Sequence, residues 1–278
     1  MAPEDMDKLK ADFARDGYVM LRGVLSRTEI AALHADIDQL MAERGQPSAI
    51  VAPGAALTYP SVLKLVEHEK ILPVVVNLLG YNIQLHLSML NIKRPLEAAE
   101  GGAYDGGKVG AVKNNAINWH RDGPSPQFLR VPDFSVKVCF ILSDLTEPDR
   151  GNTKVIPGSH RDPDYQPPRP AADVPLPEEV QICGAPGDAM VFSQNLWHGA
   201  TYNLSQIERR LAFVAYSACW MRPADYSVAP PELLATASPH LRQLLGDVGG
   251  QPYHHYMDGN LPLKDLWMGA EPTSAYAV

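Results

Sequence analysis

Two histidines and one aspartate in this chain have the types and spacing of a metal-ligand set. His120 and Asp122 stand two apart in the run Asn118-Trp119-His120-Arg121-Asp122-Gly123, and His198 follows far downstream. In an extended strand, residues two apart project to the same side, so His120 and Asp122 can present a nitrogen and an oxygen to one ion. A third ligand arriving from elsewhere closes one face of an octahedron and leaves the opposite positions for co-substrates and oxygen, the arrangement used by non-haem Fe(II) centres. Alone, a His-x-Asp triplet carries little weight, because a chain with nine histidines yields one by chance. A strand histidine is more often a satisfied polar residue.

The elements that must hold this set follow from hydrophobic period. The first third of the chain reads as helical, with Leu9 and Phe13 on one helix and a short strand expected at Arg22-Gly23-Val24-Leu25. A second helix begins at Ser26, where Ser26 and Glu29 form a capping box and Ile30, Leu33, Ile37 and Leu40 recur at helical spacing. A third is expected from about Glu69 to Leu79, with Pro73 in its first turn and Gly80 ending it. Beyond Gly80 the alternation Ile83-Gln84-Leu85-His86-Leu87-Ser88-Met89 has period two. Further strands are expected at 84–93, 116–122, 135–142, 154–156, 180–183, 189–193 and 210–220. Many short strands separated by turns indicate a sandwich or barrel. The stretches 97–114 and 161–177, rich in Gly, Pro or charge, interrupt this pattern and are expected to be functional loops.

Bulk properties narrow the function classes. The chain has 278 residues, 45% hydrophobic and 20% charged, with no run near the roughly 18 uninterrupted apolar residues of a membrane helix. Its acidic N-terminus, Met1-Ala2-Pro3-Glu4-Asp5, is unlike a secretory signal, so a cytoplasmic address is expected. Cys139, Cys183 and Cys219 are an odd number with wide spacing, which fits reduced packing residues and argues against a disulfide framework or structural zinc. A net charge of −8 gives no attraction to nucleic acid or anionic membranes. A small-molecule substrate is the expected partner, and the sequence sets no oligomeric state.

Around the triplet lie Leu142-Ser143-Asp144-Leu145-Thr146-Glu147, Gly151-Asn152-Thr153-Lys154-Val155-Ile156-Pro157-Gly158-Ser159-His160, Gly187-Asp188-Ala189-Met190-Val191-Phe192 and Trp197-His198-Gly199-Ala200, followed by Asn203, Ser205, Arg209 and Arg210. In order and spacing these pieces resemble the phytanoyl-CoA dioxygenase family of Fe(II)- and 2-oxoglutarate-dependent oxygenases. The resemblance runs from about Phe13 to Tyr216, and Asp16-Gly17-Tyr18-Val19-Met20-Leu21-Arg22-Gly23 looks like that family's opening. It implies that His120, Asp122 and His198 are the iron ligands and that the fold is mainly β, a double-stranded β-helix or jelly-roll barrel buttressed by the N-terminal helices. It implies one domain over residues 1–278, with a helical buttress to about 80, a core over about 81–220 and a C-terminal extension over about 221–278.

By the same resemblance Arg209, eleven positions beyond His198, holds the far carboxylate of 2-oxoglutarate, for which a planar guanidinium is suited. Strand alternation lets only one of Arg209 and Arg210 face the barrel interior, and the other is expected to be a solvated charge. The implied reaction consumes Fe(II)-bound 2-oxoglutarate and O2, releases succinate and CO2, and hydroxylates a small metabolite or natural product. In a related subgroup of halogenases a small residue replaces the carboxylate ligand, so Asp122 speaks against halogenation.

Lys93 and Asn91 share a strand face and can reach co-substrate or substrate, although a lysine at a strand end is usually a solvated charge. Asn118 shares a face with His120 and Asp122 if 118–122 is regular strand, where it would touch substrate or orient a ligand. His160 is expected to shape a turn, and Trp119 and Trp197 to pack on the outer layer. Two other readings remain open at this point: a cupin-like isomerase or hydrolase using its metal as a Lewis acid, and a non-catalytic ligand-binding jelly roll.

Overall fold

The computed structural model describes residues 2–95, 119–122, 133–167, 176–248 and 261–269. Helix α1 (Pro3–Asp16) leads into strand β1 (Tyr18–Leu21), and α2 (Arg27–Glu43) begins at Ser26, whose side chain accepts from the Glu29 amide while Glu29 reciprocates as the spacing required. Next come β2 (Ala49–Pro53), the short helices α3 (Ala55–Thr58) and α4 (Pro60–Val66), and α5 (Leu72–Leu79) ended by Gly80 at positive φ. Strands β3 (Ile83–Lys93), β4 (Ser135–Ile141), β5 (Thr153–Val155), β6 (Val180–Gln181), β7 (Ala189–Ser193), β8 (His198–Ala200) and β9 (Arg209–Ala218) follow, then α6 (Pro231–Thr236) and α7 (Pro239–Leu244).

The strands form two antiparallel sheets, one of six in the order β1-β7-β4-β9-β3-β2 and one of three in the order β6-β5-β8. Period-two alternation sorts the central strands into two apolar faces. Val136, Val138, Phe140, Val191, Ala212, Val214 and Tyr216 belong to a core shared with Ile37, Leu40, Leu65 and Val75 of the helices. The intervening Cys139, Ile141, Met190, Phe192, Leu211 and Phe213 join Val155 from the smaller sheet in a second cluster, which fills the space between the sheets. Strand β4 is therefore buried along its whole length, because it is covered on both faces. This is the jelly-roll arrangement expected from the sequence.

Several local expectations are corrected. The short strand between α1 and α2 is Tyr18–Leu21, not Arg22–Leu25. Gly23 takes a positive φ, and its amide and the Arg22 guanidinium both donate to Asp188, which turns the chain away from the sheet. The expected strand 116–122 reduces, over its described part, to one antiparallel bridge between His120 and His198. Strand β2 and helices α3 and α4 carry no clear period in sequence and are defined by packing, β2 and α3 on β3, and α4 on α2, α3 and β9. In β3 the pairing with β9 slips between Leu85 and Leu87, which makes His86 a bulged residue. No helix among the described residues is long and apolar enough to cross a membrane.

Candidate metal centre

The His120–His198 bridge brings the two halves of the ligand set together. Each residue's amide donates to the other's carbonyl at 3.0 Å, and the Asp122 amide donates to the Gln194 carbonyl at 2.9 Å. Two backbone segments some eighty residues apart are thus locked in register, and the ligand atoms of His120, Asp122 and His198 all lie within 4.8 Å of one another. His120 Nε2 stands 3.8 Å from Asp122 Oδ1, and His198 Nε2 stands 3.6 Å from Oδ2. The two imidazoles meet at a ring separation of 4.1 Å.

Exposure differs sharply across the set. The His198 side chain is 7% exposed, that of Asp122 25% and that of His120 50%, so the cluster opens on the His120 side. His198 is braced by Phe192, whose ring meets it edge-on at 4.9 Å, and its Nδ1 lies 3.0 Å from the Leu196 carbonyl. That contact assigns the proton to Nδ1 and leaves the Nε2 lone pair facing Asp122. Burial pushes the His198 pKa down to about 3 against the opposing pull of Asp122, so the ring is neutral, the form that ligates a metal. Burial pushes the Asp122 pKa up, but His198 and Lys137 outweigh it and hold the carboxyl below its ordinary range. Two neutral-capable imidazoles, one ionised carboxylate and an open side suit a divalent cation that keeps coordination positions for other molecules.

Arg209 faces the interior, as strand alternation allows for one of the pair. It is 2% exposed and donates to the Gly151 carbonyl at 3.0 Å and to Asn91 Oδ1. Gly151 is needed there: its φ is +76°, and a Cβ would come within 2.9 Å of Arg209 Cδ. Arg210 turns to the helical side, where it pairs with Asp38 and Glu208 and contacts His34. It is a partly buried ion-pair hub, a correction to the solvated charge expected for it. Lys93 pairs in register with Arg209 across β3 and β9 and donates to the Thr201 carbonyl at 3.1 Å. Asn118 lies outside the described residues, as does loop 97–114. His160 sits in a 3-10 turn against Gly17 and is not one of the three clustered candidates.

Three participants were not singled out in the sequence. Lys137, on β4, places its ammonium 2.6 Å from Asp122 Oδ2 and 5.9 Å from each of the Phe192 and Phe213 ring centres. Arg121, between the two ligands of the triplet, turns outward over Trp197. His86 is re-aimed by the bulge. The signal for Lys137 was a charged residue inside an otherwise apolar strand, Val136-Lys137-Val138-Cys139-Phe140-Ile141, which an interior position must explain.

A sequence profile of the phytanoyl-CoA dioxygenase family matches residues 106–211. An ectoine dioxygenase of Sphingopyxis alaskensis is 26% identical over 245 residues, covering 75% of this chain and 74% of that protein. Among solved structures, the epimerase SnoN in complex with Fe3+, alpha ketoglutarate and nogalamycin RO superimposes with a TM-score of 0.59 at 20% identity, covering 90% of this chain and 94% of that one. The enzyme EctD from S. alaskensis with 2-oxoglutarate and 5-hydroxyectoine gives 0.57 at 23% identity, covering 91% and 85%. Both share the fold.

Proposed function

This chain belongs to the phytanoyl-CoA dioxygenase-like family of Fe(II)- and 2-oxoglutarate-dependent oxygenases, and we propose on that footing that it hydroxylates a small metabolite with His120, Asp122 and His198 as its iron ligands. It is a non-haem dioxygenase that uses Fe(II), 2-oxoglutarate and O2. The observation that carries the assignment of residues is the convergence of three ligand atoms within 4.8 Å, two of them from segments joined by a single bridge.

Iron and 2-oxoglutarate at this site supply the oxidising power, with succinate and CO2 as by-products. The chain's own groups do the rest. His198, held by Leu196 and Phe192, fixes one coordination direction on the buried side. Arg209 offers the guanidinium that receives the far carboxylate of 2-oxoglutarate, with Asn91 and Gly151 setting its direction and Lys93 beside it. The Phe192, Phe213 and Leu211 walls keep water from the interior, which strengthens every charge interaction there. A carboxylate at position 122 favours oxygen transfer over halogen transfer. Relatives named for ectoine are consistent with a small polar substrate, and a cytoplasmic setting, with its reduced thiols and dissolved 2-oxoglutarate, suits three free cysteines.

Anaerobic titration of the protein with Fe(II) and 2-oxoglutarate tests the reading directly. Saturable, mutually dependent binding of the two is expected, with succinate formed on admitting O2. Binding of 2-oxoglutarate that ignores the metal would remove the assignment.

A further inference from the structure

We propose that the molecule oxidised by this protein carries a carboxylate, received by Lys137 beside the metal triad, and an N–H or O–H group that donates to His86. The inference rests on the reading of His120, Asp122 and His198 as metal ligands and names the substrate class for that same site.

Lys137 is 8% exposed and sits among aromatic rings. A buried ammonium has three donors and is costly to desolvate unless anions meet it. Among the described residues its one ion-pair partner is Asp122. That carboxylate is also the anionic ligand of a dication, and a second cation at 2.6 Å competes for the same charge. A neutral donor would orient Asp122 without that conflict. A lysine at this position makes electrostatic sense when a further anion joins the metal and the ammonium.

The position of Lys137 along the barrel separates that anion from the far carboxylate of 2-oxoglutarate. Lys137 pairs with Ala215 on β9, and Ala215 pairs with Leu87 on β3, next to the bulged His86. Arg209 lies six residues further along β9, roughly 20 Å at about 3.3 Å per residue. The far carboxylate that Arg209 would receive is therefore remote from Lys137, whose ammonium lies at Asp122. Ala215 offers only a methyl group in the Lys137 row, whereas the neighbouring row carries Phe213.

His86 supplies the second contact. β-bulges next to functional sites re-aim side chains, and this one brings the imidazole within electrostatic reach of both Lys137 and Asp122. Its Nδ1 is buried without a hydrogen-bond partner, while the ring also engages the Arg222 backbone. Burial lowers its basicity, so the ring stands neutral, and with the proton on Nε2 toward Arg222 the Nδ1 lone pair accepts from a ligand.

Calorimetry on the full chain loaded anaerobically with Fe(II) and 2-oxoglutarate tests this, using 3-phenylpropanoate, phenylalanine and hexanoate against their carboxamides. Wild type is expected to bind the carboxylates at least tenfold more tightly than the amides, with phenylalanine ahead of 3-phenylpropanoate. Lys137→Met should erase the carboxylate preference and Lys137→Arg retain it, while His86→Leu should erase only the advantage of phenylalanine. At Fe(II) concentrations that saturate each variant, affinity for 2-oxoglutarate should stay within twofold in all three. Equal binding of acids and amides by wild type, or no binding of either, overturns the proposal. So does a tenfold loss of 2-oxoglutarate affinity in Lys137→Met, which would make Lys137 a co-substrate residue. If wild type takes up no 2-oxoglutarate with Fe(II), the metal reading fails first and the proposal falls with it.

Discussion

The guanidinium of Arg121 lies 5.0 Å from the centre of the Trp197 ring, and each of these residues adjoins a proposed metal ligand in sequence, Arg121 between His120 and Asp122 and Trp197 directly before His198. Both are tied to one turn. Arg121 donates to the carbonyls of Ser159, Asp162 and Pro163, while Trp197 donates through Nε1 to Tyr165 and through its amide to Ser159 Oγ. The chain on either side of the proposed ligands is thereby stapled to that turn.

Breaking this staple should loosen the metal before it unfolds the protein. Arg121→Ala or Trp197→Ala removes a cation–π contact and several hydrogen bonds, a loss of about 1–3 kcal/mol in unfolding free energy. Metal affinity should fall by roughly ten- to a hundredfold, as for other groups that orient ligands. Equilibrium unfolding and Co(II) titration measure the two effects separately, and unchanged metal affinity in both variants would refute the positioning role.

Asp122→Ala should abolish metal-dependent turnover and also cost stability. It strands the Lys137 ammonium, and with the carboxylate side chain a quarter exposed the penalty is discounted to about 1–3 kcal/mol. Adding Lys137→Met to Asp122→Ala should restore much of the unfolding free energy and none of the activity. Chemical denaturation of the single and double variants decides the point, since additive losses would mean that the pair is not coupled.

Arg209→Ala should chiefly raise the 2-oxoglutarate requirement. Each charge-assisted hydrogen bond lost is worth about 1.5–3 kcal/mol, so the co-substrate KM should rise by about tenfold to several hundredfold. Gly151→Ala tests the same contact from the backbone, because its Cβ would press on Arg209 Cδ at a residue with φ of +76°. An increased KM for 2-oxoglutarate with kcat largely kept is expected there, and a normal KM would show that Arg209 is free to shift.

Asp188 sets a pH-dependent component of stability remote from the metal. Burial raises its pKa, but hydrogen bonds from the Gly23 amide at 2.9 Å, from Arg22 at 2.7 Å and from the Ala185 amide at 2.9 Å prevail and hold it below the ordinary carboxylate value. A folded-state pKa below the unfolded one gives stability that is present above the unfolded value, about 3.9, and is lost as pH falls through the folded value. Asp188→Asn should therefore be less stable than wild type at pH 7 by about 1–3 kcal/mol, with the gap closing below about pH 4. Denaturation at pH 7, 5, 4 and 3 checks the sign, and a gap that widens in acid would reverse it.

Much of this was legible in the residues themselves. The capping box at Ser26 and Glu29 marked the start of α2, because a helix N-terminus is satisfied by side chains three apart. Period two marked β3, since alternation is a property of one strand, while β4, β7 and β9 were expected as short strands set between turns. The candidate ligands at 120, 122 and 198, whose side chains the fold gathers, and the rule that one of Arg209 and Arg210 must face inward, were likewise readable along the chain. Tertiary structure decided what depends on contacts between distant segments. The bridge that seats His198 against His120, the ion pair from Lys137 on β4 to Asp122, the bulge that re-aims His86 against β9, and the use of Arg121 and Trp197 as a staple all join residues separated by 15 to 130 positions. Local propensity carries no record of such pairings, because their free energy arises only once both partners are buried in the same place.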